Sequence, residues 1–216
     1  MRAIRERAEG GWVKRWVQIA ILAIGFSMGV ALMGVEMAAI RMMTPYFGSG
    51  IDIWACMIAT VMLSLMAGYY IGGMVADRLP RTDVLGAAVL IAGLFLCGLP
   101  VAATPFLDWM LDHVGYDVNA ALSSAVALMF LPMTLLSFFS PYAVRLLLAD
   151  AAHGGRVAGS VYSITTIGNI VGTLGTALGL MRFMGSRDIM YAFAGVILVC
   201  GLALVALRSK ARVDAR

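Results

Sequence analysis

Six apolar runs, each long enough to cross a bilayer core of about 30 Å as helix, constrain this chain more than any other feature. They cover residues 16–43, 53–76, 84–107, 118–144, 157–181 and 189–207, and only the first is interrupted by charge, at Glu36 and Arg41. A soluble domain of this length would need a polar surface, yet 62% of the residues are hydrophobic and 13% charged. The runs therefore predict an all-α fold of six transmembrane helices forming one membrane domain, 16–207, between basic tails at 1–15 and 208–216. The first run follows a basic segment as a signal peptide would, but it is too long for one, so an uncleaved first helix is expected.

Arginine and lysine placement predicts the orientation. Loops rich in these residues stay on the cytoplasmic side. With the N-terminus inside, the inner segments hold thirteen of the sixteen basic residues and the outer loops hold Arg182 and Arg187, with Arg41 near the outer end of the first helix. Both termini are expected in the cytoplasm. The same scatter of basic residues between apolar runs excludes a nucleic-acid partner, because no basic face can form despite the sequence pI of about 9.2. The lipid bilayer is the expected partner.

Chemistry-bearing residues are few. Cys56, Cys97 and Cys200 lie inside apolar runs, where cysteine acts as a small hydrophobe. The sixteen methionines have no His or Cys beside them at ligand spacing, so no metal and no cofactor are expected. No serine in the membrane has a histidine near it, and no catalytic residue is assigned.

Glu36 and Arg41 stand out, because charge near lipid must face protein, water or a partner. Five positions apart on a helix, they point in different directions and are not mutual partners. Two readings are open: a structural ion network beneath the turn at 44–50, or an outward-facing site where Glu36 binds a cation. The outer loops carry Asp52, Asp108, Asp112 and Asp117, an acidic mouth that would concentrate a cationic solute but that also follows from topology alone. His113 reads as a solvated loop residue.

In the fifth helix, Tyr162, Thr166, Asn169, Thr173 and Thr176 recur at a spacing of four and three, which makes one polar stripe. Gly168, Gly172, Gly175 and Gly179 form a second stripe beside it. Small residues permit close helix approach. The polar stripe is either interhelical glue centred on Asn169 or a cavity-lining face.

A short internal echo pairs Ala39-Ile40-Arg41 with Ala143-Val144-Arg145, and Gly68 and Gly72 with Gly168 and Gly172. Three helices per copy would invert the second copy relative to the first, as in many transporters. The loop after the second helix, Gly72-Gly73-Met74-Val75-Ala76-Asp77-Arg78-Leu79-Pro80-Arg81, resembles the Gly-x-x-x-Asp-Arg-x-Gly-Arg pattern of major facilitator transporters, with Pro80 replacing its second glycine. Asp77 and Arg78 stand at the inner boundary, where a switchable ion pair can form; Asp77 is expected to pair with Arg145 across neighbouring helix ends.

Glu36 to Gly48, then Trp54, then Gly68-Tyr69-Tyr70-Ile71-Gly72-Gly73 and Asp77-Arg78 together resemble the membrane region of bacterial fused major facilitator/spermidine synthase-like proteins. Ser140-Pro141-Tyr142 with Arg145, and Gly159 to Gly172 through Tyr162 and Asn169, are similar to the same family. The resemblance implies a half major-facilitator-like bundle with a 3+3 inverted repeat in a bacterial inner membrane. The family's aminopropyltransferase-like domain has no counterpart here, so the chain is not expected to be an enzyme. Two functions follow as expectations: a half-size transporter-like module, for a cationic amine such as a polyamine, or a membrane anchor for a separately encoded aminopropyltransferase-like enzyme. In the transporter reading, the glycines of the second and fifth helices seal a homodimer or a pair with a related six-helix chain.

Overall fold

The computed structural model describes the backbone of residues 2–148 and 154–213 and the side chains of 16–148 and 154–207. Helices account for nearly all of it, and no strand occurs among the described residues. They are α1 (Arg2–Phe47), α2 (Ile51–Arg78), α3 (Thr82–His113), α4 (Val118–Ser137), α5 (Phe139–Leu147), α6 (Gly154–Leu174), a π-helical turn at Gly175–Leu180, α7 (Met181–Phe183) and α8 (Ser186–Val213). Six stretches are long and apolar enough to cross a membrane: Trp16–Phe47, Ile51–Arg78, Thr82–His113, Val118–Leu147, Gly154–Phe183 and Ser186–Leu207. The fourth thus joins α4 to α5, and the fifth joins α6, the π turn and α7.

Helix boundaries differ from expectation in two places. The first helix continues past residue 43 through Pro45 to Phe47, so the turn expected at 44–50 is confined to Gly48–Gly50. Gly48 ends the helix at φ +84° and its N–H donates to the Thr44 carbonyl over 2.9 Å, the left-handed cap for which glycine is suited. The outermost helices also run into both basic tails, since α1 starts at Arg2 and α8 reaches Val213. The loop stretch at 151–155 falls largely outside the described residues, and α6 begins at Gly154.

Packing follows three principal pairs: α1 with α6, α2 with α4, and α3 with α8; α1 also lies against α8, and α3 against α4. Fully buried Ala31, Val35, Met57, Val61, Leu96, Met129, Met133 and Ile189 fill the interior. Ile58, Met62, Met66, Leu94, Val101, Leu131, Val199 and Leu202 are exposed, which is the girdle a lipid environment requires. Since inside and outside are equally apolar, close fit holds such helices together more than the hydrophobic effect does.

Glycine supplies that fit. A Cβ at Gly68 would collide with the Thr134 carbonyl and the Ser137 hydroxyl, and one at Gly72 would lie 2.8 Å from the Phe138 Cα. On the other pair, a Cβ at Gly168 would strike the Phe26 carbonyl, and one at Gly172 the Val30 carbonyl. Each of these four glycines is consumed inside the chain. The expectation that they seal a seam with a second chain is corrected for all four, because the backbone of α1 or α4 already occupies the space. Gly175 and Gly179 have nothing within 4 Å of an added Cβ.

Candidate functional site

Buried hydroxyls in this bundle mostly bond back to their own helix, as serine and threonine do in apolar surroundings. Thr60 donates to the Cys56 carbonyl at 2.8 Å, Ser64 to Thr60 at 2.7 Å, and Thr134 to Phe130 at 2.6 Å. Ser137 differs. Its hydroxyl reaches both Met133 O at 2.8 Å and, across the α2–α4 seam, Ser64 O at 3.3 Å. At the next residue, Phe138, the fourth span breaks between α4 and α5, and one turn on Pro141 has no N–H to give the Ser137 carbonyl.

Beside this break lies an interior cavity of about 50 Å³ between α1, α2, α4, α5 and α6. Its polar lining is Tyr69, Ser137, Ser140, Thr165 and Asn169, and Gly29 with apolar side chains such as Leu32, Leu65 and Phe139 supplies the rest. That space is large enough for a few water molecules. Thr165 spends its hydroxyl on the Val161 carbonyl at 3.0 Å, and the Asn169 carbonyl accepts from Thr173 at 2.9 Å. The Asn169 side-chain amide forms no hydrogen bond among the described residues. An amide at this depth must find water or a ligand, and Gly29 opens the room for it: a Cβ there would sit 3.0 Å from Asn169 Oδ1.

The polar stripe therefore divides. Asn169 lines the cavity. Tyr162 instead lines a depression of about 260 Å³ with Asp77 and Arg145 on the N-terminal side of the bundle. Thr166 is exposed and Thr173 half-buried, and neither lines the cavity, so the expected face is corrected for these three. The cause is angular. At 100° per residue, Thr166 lies about 40° to one side of Tyr162 and Thr176 about 40° to the other, so the stripe straddles the boundary between open surface and the α1 seam. Tyr69, Ser137, Ser140 and Thr165 were not singled out by spacing, although Tyr69 and Ser140 stand inside the motifs that carry the family resemblance.

Asp77 and Arg145 meet as expected, with Arg145 Nε 3.1 Å from Asp77 Oδ1 and both side chains largely exposed. Next to them Tyr142, fully buried, donates its hydroxyl to the Leu79 carbonyl and so ties α5 to the end of α2. Arg78 is exposed and makes no ion pair among the described residues. At the opposite end of the bundle, Arg41 Nη1 donates to the Met181 carbonyl at 2.7 Å and to Met184 O at 3.5 Å, where a cation is favoured by the exposed carbonyls of a helix end. As expected, the two charges of α1 are not mutual partners, but the structural ion network read beneath the 44–50 turn does not form among the described residues: Arg41 serves those carbonyls, while Glu36, 6% exposed, has neither ion pair nor hydrogen bond among them.

Of the outer acids, Asp117 is committed to capping α4, accepting from Ala120 N at 2.9 Å. Asp52 stands exposed in the first turn of α2, where negative charge offsets the helix dipole. His113 belongs to the last turn of α3, stacked on Trp109 with ring centroids 4.9 Å apart, and is not a loop residue. No family model, curated protein or solved structure matches this chain.

Proposed function

We propose that this chain is a half-size transporter-like module of a bacterial inner membrane, with both termini cytoplasmic, that works paired with a second six-helix unit. One observation carries the reading. The fifth span is the least apolar of the six, yet only 17% of its apolar stretch is buried, against 39% or more in each of the others. A lone bundle in lipid would expose its most apolar helix; this one exposes Ser160, Ser163, Thr166 and the open Gly175. Such a face suits a protein partner better than acyl chains.

The packing supports a 3+3 repeat. Exchanging spans one and four, two and five, three and six converts each principal pair into another or into itself. Gly68 meets the Thr134 carbonyl of α4 as Gly172 meets the Val30 carbonyl of α1, and one displacement along the chain carries both Gly68 to Gly172 and Val30 to Thr134. The same displacement along the chain that carries Arg41 to Arg145 carries Met181's counterpart, Asp77, to Met181. On this reading the cavity at Asn169 is one wall of a solute path that a partner completes, and the acidic outer loops favour a cationic amine such as a polyamine.

Uptake by vesicles containing the purified chain, measured over a panel of polyamines and amino acids, tests the proposal. Polyamine uptake lost in Asn169→Leu is the expected result; no uptake of any solute by well-folded protein overturns it. The second reading, a membrane anchor for an aminopropyltransferase-like partner, draws on the four glycines consumed within the chain, which leave less small-residue surface for a sliding seam. A synthase-like protein that co-purifies with this chain would favour it.

A further inference from the structure

Two buried polar side chains without partners stand above the cavity, and helix register brings them together. Glu36 is 6% exposed and Thr176 1%, and the Thr176 hydroxyl makes no hydrogen bond. Helices α1 and α6 run side by side in the same direction. Gly29 is in contact with Asn169 below, and Arg41 bonds Met181 above, a separation of 140 positions. That separation also relates Gly29 to Asn169 and Glu36 to Thr176, so the level of the second pair is fixed from both sides. Azimuth agrees: Glu36 lies seven residues beyond Gly29 and Thr176 seven beyond Asn169, two turns that return each side chain to the same helix face.

The chain is unusual here in a third respect. Thr176 belongs to the π-helical turn Gly175–Leu180, and such turns loosen the i→i+4 carbonyl pairing and recur at functional sites. Gly175 and Gly179 in the same turn have open space around them, so the segment has room to change conformation. Tight packing alone accounts for neither the carboxyl nor the π turn, because an apolar residue at 36 would fill the site without desolvating a charge.

The geometry points to Glu36 and Thr176 as a proton-binding site at the α1–α6 seam, with Glu36 the group that takes up and releases the proton and Thr176 the hydroxyl at the same level that a side-chain rotation would bring into hydrogen bonding with it. As the coupling site for transport it rests on the function proposed above; as a site of protonation it stands without it. The proton adds to a carboxylate oxygen when the site is open to water and leaves by the same bond when the seam reopens, so no other reactant is needed. Away from their ends, the helices packed against α1 carry no charged side chain. Their titratable groups there are Cys56, Tyr69 and the outward-facing Tyr70 on α2, Cys97 on α3, Tyr142 on α5, Tyr162 on α6, and Tyr191 and Cys200 on α8, and α4 has none. Arg41 is committed to carbonyls, and Arg182, Arg187 and Asp188 lie at the bundle's end. A proton fits this set better than a metal cation, which would need several more oxygen ligands.

Dicyclohexylcarbodiimide adds to protonated carboxyls in apolar surroundings, and the modified residue is located by mass spectrometry of the full purified chain. Glu36 should be labelled, labelling should fall as pH rises because the reagent needs the protonated acid, and added sodium should not change it. Thr176→Val should shift the midpoint by about one pH unit, while Thr173→Val leaves it in place. Glu36→Gln loses the label, and also loses the infrared band of a protonated carboxyl, which reads the same proton without the reagent. Protection by sodium at fixed pH would reassign the site to a metal cation. Absence of both the label and the band in folded protein overturns the site outright. Labelled protein that moves no solute leaves protonation standing and removes the transport reading alone.

Discussion

Replacing Gly172 by alanine tests the α1–α6 seam most directly. The added Cβ would lie 2.9 Å from both the carbonyl carbon and the Cα of Val30, with the Val30 oxygen closer still, whereas ordinary contact begins at 3.4 Å. These atoms belong to a helix backbone and cannot rotate away. The helices must part by at least about half an ångström, and overpacking of this kind costs about 1–3 kcal/mol. Against it stands the better helix propensity of alanine, about 1 kcal/mol. The net loss expected against the wild type is about 0–2 kcal/mol, and against an alanine that gains propensity without the clash it is the full cost of about 1–3 kcal/mol, with more for Gly172→Leu. Gly179→Ala is the matched control, since nothing lies within 4 Å of its added Cβ; there the propensity gain acts alone and stability should be unchanged or slightly raised. Reversible unfolding in mixed micelles, followed by tryptophan fluorescence, measures both. If Gly172→Ala is as stable as Gly179→Ala, the in-chain account of the glycine stripe is wrong.

Asp77→Asn should lower stability by less than about 1 kcal/mol, because the pair with Arg145 is solvent-exposed; a loss beyond about 2 kcal/mol in the same unfolding assay would show that the pair is not the surface contact described. Arg41→Gln removes the donor to Met181 and should cost about 1–2 kcal/mol, consistent with a charge-assisted bond to a carbonyl; no loss would mean that water serves those carbonyls equally well. Reporter fusions after Gly10, Gly115 and Arg212 check orientation: a periplasm-dependent reporter should be active only at Gly115, and activity at either terminus refutes the charge-based assignment.

The number and type of elements were legible because each span declares itself locally, by twenty or so residues without charge. So was the Asp77–Arg145 pair, since short loops leave little choice about which helix ends meet. The partners of the glycines were not. A stripe of small residues says that something approaches closely, but the same stripe serves a neighbour in the chain or one outside it, and only the packing of Gly168 and Gly172 on Phe26 and Val30 decides. The cavity was half legible for a related reason. Asn169 could be recognised as an amide that must be satisfied, whereas Ser137 and Thr165 look like ordinary back-bonding hydroxyls until the break at Phe138 and the bare backbone at Gly29 open space beside them.

In water, a bundle's polar residues are sorted by burial; in lipid, both the interior and the perimeter are apolar, so a polar side chain is informative by whether it has been answered. Thr60, Ser64 and Thr134 are answered by their own helices, Arg41 by carbonyls, and Asp77 by Arg145. Glu36, Thr176, the Asn169 amide and, on α4, Ser124 are not, and the first three lie along the α1–α6 seam. That same seam holds the glycines at which the two backbones touch, the π turn, and the helix whose outer face is least suited to lipid. A bundle selected only to be stable would have filled these positions with leucine or alanine, which pack without desolvating a polar group. Three of the four fall on one helix pair, which makes that pair the place to test the transport and proton-binding proposals.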